Sequence, residues 1–275
     1  MRLFLITLLA LVAFAANSVL TRSALAVELI GPGAFMAIRL ASGAVTLGAL
    51  VAFRGGLGRM RGHGGVISAA ALLLYAAAFS FAYVTLEAGI GALILFGGVQ
   101  ITMFAGALLA GERPHAVRWI GAFLGMAGLG VLFGPGAARP DLVGAIMMAF
   151  SALGWGIYTL RGRSVAAPLE ATAVNFLFAA PFGVFLWVLF PAGAAVSTSG
   201  VLLAIASGSL ASGVGYALWY SVLPKLESTL AAIFQLSVPI IALAGGVLFL
   251  GEAVTLYFAI SAGLIIAGVL VAVRK

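Results

Sequence analysis

The sequence predicts an all-α integral membrane protein with ten transmembrane helices. Of its 275 residues, 64% are apolar and only 8% are charged, whereas an average soluble domain has about 25% charged residues. Ten apolar runs approach the length that a helix needs to cross the hydrocarbon core of a bilayer, about 20 residues. Backbone groups in lipid have to be bonded within their own segment, so such runs predict helices rather than strands.

Charged residues, glycine or proline bound each apolar run. The predicted spans are 3–21, 33–53, 66–86, 89–110, 117–134, 142–160, 171–190, 201–223, 228–250 and 254–273. The connections between them are mostly 3 to 12 residues long, so no soluble domain is expected. The first run follows Arg2 and ends in small residues, as a secretory signal peptide does, but its length favours a membrane span.

The basic residues are distributed unevenly between the two sides of the predicted bundle. With ten spans both termini lie on one side, and that side carries eleven Lys and Arg residues, whereas the other carries only Arg22 and Arg139. Cytoplasmic loops are enriched in Lys and Arg. We therefore expect a multi-pass protein of the cell inner membrane with cytoplasmic N- and C-termini.

The chain also matches itself at an offset of 140 residues. About a quarter of the positions from 69 to 133 are identical, including Glu87 with Glu227 and Glu112 with Glu252. AFAANSVLTR (13–22) likewise resembles ALGWGIYTLR (152–161). Since five spans per copy is an odd number, the second copy has to enter the membrane inverted. The predicted repeats are 1–135 and 140–275, a plan that recurs in secondary transporters.

Several of these segments resemble the EamA-type transporters of the drug/metabolite transporter superfamily. The segments of the second half are LPKLESTLAAIFQLSVPIIALAGGVLFLGEAVT (223–255) and SAGLIIAGVLV (261–271), and those of the first are LEAGIGALILF (86–96), LLAGERP (108–114) and WIGAFLGMAGLGVL (119–132). Arg39, in FMAIRL, matches an arginine of that family, whereas Val99 and Phe14 replace its usual proline and tryptophan.

The resemblance implies a basket of ten helices, with spans 1–4 and 6–9 around a central cavity and spans 5 and 10 at the periphery. Within the family the chain is most similar to the YddG-type exporters of amino acids. That similarity implies export of aromatic or hydrophobic amino acids by alternating access.

The candidate cavity residues are polar or aromatic residues inside the predicted spans. They are Asn17, Arg39, Phe79, Tyr83, Gln100, Trp155, Tyr158, Asn175, Tyr216, Trp219 and Gln235. Aromatic rings and amides suit an amphipathic solute, but rings also form interfacial belts and amides also join helices. Arg39 is the one charge well inside a span, where it either binds a substrate carboxylate or has a structural partner. Pro239 is a candidate hinge.

The position of the acidic residues distinguishes between transport classes. All seven lie at span ends or in loops, so no carboxylate at mid-depth is available for proton exchange. This favours a carrier of neutral or zwitterionic solutes over a proton-coupled exporter of drugs or cations. A nucleotide-sugar exchanger, a further alternative, is expected to have several basic residues at depth.

Other functional classes receive little support from the composition. The chain has no cysteine, two loop histidines and none of the common hydrolase or nucleotide-binding motifs, so we expect no enzyme activity, metal or cofactor. Its basic residues are separated by apolar runs, which does not favour a nucleic-acid partner. Small residues at Gly121 and Gly125, and at Ala259 and Gly263, are expected to pack within one chain, so a monomer is favoured over a homodimer.

Overall fold

The computed structural model describes residues 2–56, 58, 60, 63–132, 140–189, 191, 196–253 and 256–273. Every regular element in these ranges is helical. The helices are α1 (Arg2–Leu25), α2 (Pro32–Phe53), α3 (Val66–Ala82), α4 (Ala88–Leu109), α5 (Ala116–Leu132), α6 (Leu142–Gly162), α7 (Pro168–Leu189), α8 (Thr198–Lys225), α9 (Ser228–Leu250) and α10 (Leu256–Val273).

These helices coincide with the predicted apolar runs. Seven of them are long and apolar enough to cross a membrane, and α3, α5 and α10 contain shorter apolar stretches. Large apolar side chains such as Phe53, Phe123 and Leu109 are exposed on the outside of the bundle, as expected of surfaces that contact lipid. The prediction of an all-helical, multi-pass membrane protein is confirmed, and the count of ten crossings stays a prediction.

Local sequence explains several of the helix boundaries. The Asp141 carboxylate accepts a hydrogen bond from the Gly144 amide (2.7 Å) and caps α6, and the Ser197 hydroxyl does the same for α8. Gly111 and Gly251 follow α4 and α9 with φ of +80° and +69°. Glycine adopts this left-handed conformation without strain. The repeated Gly-Glu pairs of the sequence are therefore two equivalent helix ends.

The packing of the helices repeats when their numbers are shifted by five. The pairs α2 with α7, α4 with α9 and α5 with α10 each join helices at equivalent places in the two halves. The contact of α3 with α6 corresponds to that of α8 with α1, and the contact of α4 with α6 to that of α9 with α1. Each half therefore packs against the other half in the same way.

The glycines of α5 are used in packing within the chain. A Cβ atom at Gly121 would lie 2.6 Å from the Gly268 carbonyl oxygen of α10, and one at Gly125 would lie 2.4 Å from the Leu236 side chain. Gly263 has no heavy atom within 4 Å of such a position. The first small-residue motif thus serves the α5–α10 contact, while the expectation of a monomer stays a prediction.

Two helices depart from regular α-helical geometry. Within α8, residues Ser207–Val214 form a π-helix, and Leu223–Lys225 form a final 3-10 turn. In α9 the helix is interrupted between Ser228–Gln235 and Val238–Leu250. Pro239 has no amide hydrogen, so it cannot bond to the Gln235 carbonyl one turn earlier. The interruption therefore falls just before the proline, which opens the second part of the helix; its role as a hinge stays a prediction.

Candidate functional site

An aromatic cluster fills the middle of the bundle between α1, α3, α6 and α8. We call it the aromatic core, and its members are Phe14, Tyr75, Phe79, Trp155, Tyr216 and Trp219. The Trp155 ring lies at its centre, with centroid distances of 5.2 Å to Phe14, 5.0 Å to Tyr75 and 4.8 Å to Tyr216. Such tilted and edge-on pairs are favourable ring geometries. Three of the rings come from each half of the chain, so both halves contribute to this core.

Arg39 of α2 reaches the aromatic core and is fully buried there. Its Nη2 donates to the Tyr75 hydroxyl (2.8 Å) and to the Tyr216 hydroxyl (3.2 Å), and its Nε donates to the Ser212 hydroxyl (3.0 Å). The guanidinium carbon also lies 5.0 Å and 4.9 Å from the ring centroids of Tyr75 and Phe79, within cation–π range. Two of the three guanidinium nitrogens are thus held in place by neutral groups.

The third nitrogen, Nη1, has no hydrogen-bond partner. The ion pairs found in the described residues join Arg118 to Glu227 and Arg163 to Glu112, so none of them involves Arg39. A buried charge without a counter-ion is costly unless it is fully hydrogen-bonded. A guanidinium that is oriented by three neutral partners and retains a free N–H group is suited to bind an anionic group.

The π-helical segment brings two serines to this site. The Ser212 hydroxyl accepts from Arg39, and the Ser207 hydroxyl bonds to the Asn17 side-chain oxygen. Asn17 in turn donates from Nδ2 to the Tyr75 hydroxyl (3.3 Å). Because hydrogen bonds run from i to i+5 in a π-helix, its turn is wider than that of an α-helix and residues five apart come closer to one face. The sequence gives no signal for these serines, since five residues place two side chains on different faces of an α-helix.

Gln235 joins the aromatic core from α9. The Trp155 indole N–H donates to its side-chain oxygen at 2.7 Å, and its Nε2 lies 3.3 Å from both the Met103 sulfur and the Ala231 carbonyl oxygen. This buried amide therefore has partners on α4, α6 and its own helix. Helix joining, one of the two roles left open by the sequence, is the one that these contacts support.

A cavity of about 300 Å³ opens at the end of the bundle that the sequence predicts to be cytoplasmic. Its walls include His63, Ser68, Arg161, Thr172, Asn175 and Tyr220. The Tyr158 ring forms its deep end, 5.4 Å from the Tyr220 ring and 5.9 Å from the Trp155 ring. Asn175 accepts a hydrogen bond from the Gly65 amide (3.1 Å) in the same wall. We call this space the inner vestibule; it leads from the surface to the edge of the aromatic core.

Two predicted site residues neither line the inner vestibule nor belong or hydrogen-bond to the aromatic core. Tyr83 is buried at the opposite end of the bundle, where its hydroxyl donates to the Ala88 carbonyl (3.3 Å) and its ring packs 4.7 Å from Phe79. Gln100 is buried in α4 with no hydrogen-bond partner for either amide atom. The structure thus brings together Asn17, Arg39, Phe79, Trp155, Tyr216, Trp219 and Gln235, with Tyr158 and Asn175 in the adjoining wall.

The ends of the bundle are joined by two equivalent glutamates. Glu252, after α9, accepts from the amides of Ala88 (2.8 Å) and Gly89 (3.4 Å) at the start of α4. Glu112, after α4, accepts from the Ser228 hydroxyl (2.7 Å) at the start of α9 and pairs with Arg163 (2.6 Å). Carboxylates are favourable at helix N-termini. Each half of the chain therefore contributes a carboxylate that binds at the start of a helix of the other half, Glu252 at backbone amides and Glu112 at the Ser228 hydroxyl. Among the described residues, no group of three His, Asp or Glu side chains is placed to hold a metal.

Comparisons with known proteins agree with this architecture. The model of the EamA-like transporter family matches residues 142–274. An uncharacterized protein of Pseudomonas aeruginosa is 47% identical over 251 residues, which are 91% of this chain and 87% of the relative. An uncharacterized transporter of Archaeoglobus fulgidus is 24% identical over 196 residues, 70% of each protein. The chain belongs to the EamA-like transporter family.

A solved structure extends the likeness of this EamA-like transporter to the whole chain. This crystal structure of a protein has a TM-score of 0.76 and 24% sequence identity to the chain. The match covers 96% of this chain and 97% of the solved one. At that identity the likeness concerns the fold alone. The family match and the transporter from Archaeoglobus together identify the protein as a membrane transporter.

Proposed function

We propose that this EamA-like transporter exports amino acids, aromatic or hydrophobic ones first, across the inner membrane by alternating access through ten membrane crossings. The observation that carries the proposal is Arg39, a buried guanidinium with three neutral partners and one free nitrogen. A substrate carboxylate supplies the charge that this group lacks. The neighbouring rings suit the apolar side chain of the same solute.

The surroundings of Arg39 favour a zwitterion over a cation. No acidic side chain bonds to the Arg39 network in the part of the chain that the structure describes. A cationic drug would therefore meet a buried positive charge without a carboxylate to offset it. In an amino acid, the carboxylate satisfies the guanidinium, and the ammonium group can lie against ring faces and hydroxyl oxygens.

Alternating access is supported by the packing of the helices and by the position of the inner vestibule. Corresponding helices of the two halves make corresponding contacts, so an exchange of conformation between the halves would open the opposite end. The vestibule approaches the aromatic core at Tyr158, from the end that the sequence predicts to be cytoplasmic. The direction of transport and the amino-acid class rest on the resemblance to YddG-type exporters.

The experiment is uptake of radiolabelled phenylalanine into proteoliposomes, with and without a pH gradient, in the Arg39→Lys and Arg39→Gln variants. We expect both variants to lower the affinity for phenylalanine by about tenfold or more, because the charge-assisted hydrogen bond from Nη1 to the carboxylate is lost. Competition by phenethylamine, a cation that lacks the carboxylate, should not be weakened by Arg39→Gln, because that variant removes the positive charge that opposes a cation. The matched control is Arg113→Gln, which removes an exposed arginine outside the site.

The same assay separates this proposal from its competitors. Equal affinity of the wild-type protein and both Arg39 variants for phenylalanine would contradict the carboxylate role. Gradient-driven movement of a cationic dye without phenylalanine flux would instead establish a proton-coupled cation exporter. Exchange of a nucleotide sugar without phenylalanine flux would establish a nucleotide-sugar exchanger.

A further inference from the structure

Two arginines at equivalent positions of the two repeats make different contacts. Arg22 ends the segment 13–22 in α1, and Arg161 ends the matching segment 152–161 in α6. Arg22 donates from Nη1 to the carbonyl oxygens of Tyr83 (3.1 Å) and Val84 (2.8 Å), directly after α3. Arg161 instead donates from Nε to the Ser68 hydroxyl (3.0 Å) at the start of α3.

Arg161 lies 139 residues after Arg22, and the offset of 140 residues that relates 69–133 to the second half identifies the contact that Arg161 lacks. Tyr83 and Val84 correspond to Leu223 and Pro224, which form the last turn of α8. The carbonyl groups at a helix C-terminus carry partial negative charge and attract cations. The carbonyls of Leu223 and Pro224 are therefore the acceptors expected for Arg161, which bonds to Ser68 instead.

The two ends of the bundle differ as expected if Arg22 is bonded to its carbonyl acceptors and Arg161 is not. At the Arg22 end, Tyr83 is fully buried and its hydroxyl bonds to the start of α4, where Glu252 also binds the amides. At the Arg161 end, Arg161 and Tyr220 lie in the wall of the inner vestibule. One arginine thus seals a closed end, while its counterpart borders an open one.

We propose that Arg22 and Arg161 are reciprocal latches of the transport cycle: Arg22 closes the outer end in the inward-open state, and Arg161 closes the inner end in the outward-open state by binding the carbonyls of the last turn of α8. This inference rests on the proposed alternating-access function. It adds to that function the two residues that hold each state. The structure corresponds to the state in which the Arg22 latch is formed.

The absence of cysteine from the chain allows a direct test. A single cysteine at Ser80, one turn before Tyr83 and fully buried, reports on the outer end. A single cysteine at Ala171, in the wall of the inner vestibule, reports on the inner end. The labelling rate with a membrane-impermeant thiol reagent is measured from each side of the membrane, without substrate, in right-side-out and inside-out vesicles.

The two latch variants have different expected effects, because the structure corresponds to the state that only the Arg22 latch holds. Arg22→Ala removes two charge-assisted bonds and should raise outer labelling of Ser80→Cys by about tenfold while it lowers inner labelling of Ala171→Cys. Arg161→Ala should leave Ser80→Cys protected and Ala171→Cys accessible, and should slow transport because the outward-open state loses its latch. Arg113→Ala, the matched control for the loss of an arginine, should change neither rate.

Unchanged protection of Ser80→Cys in the Arg22→Ala variant would overturn the proposal. So would a rise of labelling at both ends together, because a latch has to open one end while the other closes. Arg22→Gln, a milder change assayed in the same way, provides the test if the alanine variant does not fold. Failure of phenylalanine flux with reciprocal labelling would refute the amino-acid proposal and leave the latches standing. Phenylalanine flux without reciprocal labelling would refute the latches and leave the amino-acid proposal standing.

Discussion

At the residue scale, the bond between Trp155 and Gln235 ties the aromatic core to the interrupted helix α9. Both side chains are buried, and the indole N–H lies 2.7 Å from the amide oxygen. Trp155→Phe removes the donor and leaves that oxygen unpaired, which costs about 1–3 kcal/mol. The double variant Trp155→Phe/Gln235→Leu removes the polar group as well. We expect it to unfold at a higher temperature in detergent than Trp155→Phe alone.

The half-exposed Trp119 provides the control for this comparison. Trp119→Phe should lower the unfolding temperature less than Trp155→Phe, because no buried acceptor loses its donor. If the double variant loses as much stability as the two single variants added together, the hydrogen bond does not couple the two residues.

The environment of Glu252 gives the stability of the protein a pH dependence. Partial burial raises the pKa of its carboxyl, and the amides of Ala88 and Gly89 partly offset this effect. Since the pKa is raised on folding, the associated stabilisation is complete below the ordinary glutamate pKa of about 4.3 and is lost as pH rises through the folded value. We expect Glu252→Gln to flatten this decline in unfolding temperature above a pH of about 4. Glu28→Gln, at an exposed position, should leave the decline unchanged, and a wild-type slope in Glu252→Gln would contradict the assignment.

The sequence indicates those site residues whose type is unusual in an apolar helix, and it does not indicate those whose type is common there. Buried charge and buried amides are rare in apolar helices, so Arg39, Asn17 and Gln235 are visible as candidates. In the structure Arg39 and Asn17 share one hydrogen-bond network through Tyr75, and Gln235 bonds to Trp155 of the same aromatic core. Ser207 and Ser212 share that network, but serine is common in such helices. Their position depends on a hydrogen-bonding pattern that composition does not encode.

At the element scale, the π-helical segment of α8 depends on close contact with α2. A Cβ atom at Gly208 would lie 2.3 Å from the Arg39 carbonyl oxygen and 2.9 Å from its Cα. Because these are backbone atoms, they cannot move aside as a flexible side chain can. Gly208→Ala should therefore separate α2 from α8, displace Arg39 from Ser212, and lower both the unfolding temperature and phenylalanine affinity.

Gly48→Ala, in the neighbouring helix α2, is the control. A Cβ atom there meets no heavy atom within 4 Å, and alanine is favoured over glycine in helices by up to about 1 kcal/mol. We expect Gly48→Ala to be neutral or stabilising. Equal unfolding temperatures and affinities for Gly208→Ala and Gly48→Ala would show that the close contact does not hold the segment.

Hydropathy predicts helices well because one property, a run of apolar residues, determines both their presence and their extent. The predicted span 33–53 agrees with Pro32–Phe53, and 228–250 agrees with Ser228–Leu250. Interruptions within a helix leave the run intact. Pro239 indicates the break in α9, whereas the π-helical segment SGSLASGV has no comparable marker.

At the scale of the whole molecule, the number of crossings determines the orientation of every loop. The helices α3 and α5 are 17 residues long, which corresponds to about 25 Å at 1.5 Å per residue. The hydrocarbon core is about 30 Å thick, and a mismatch of a few ångström costs only a fraction of a kcal/mol per ångström. The shorter helices are therefore sufficient to cross with local thinning of the bilayer, as ten crossings require.

The two Gly-Glu turns test this topology, since an inverted repeat places equivalent turns on opposite sides of the membrane. Alkaline phosphatase fused after Gly111 should be inactive and green fluorescent protein at the same point should fluoresce, because that turn is predicted to be cytoplasmic. After Gly251 the two reporters should give the opposite result, and after the C-terminus they should again report the cytoplasm. Identical results at Gly111 and Gly251 would mean that an even number of spans separates two equivalent turns. The repeats would then be parallel. Arg22 and Arg161 would lie at the same end of the bundle and could not close opposite ends in turn.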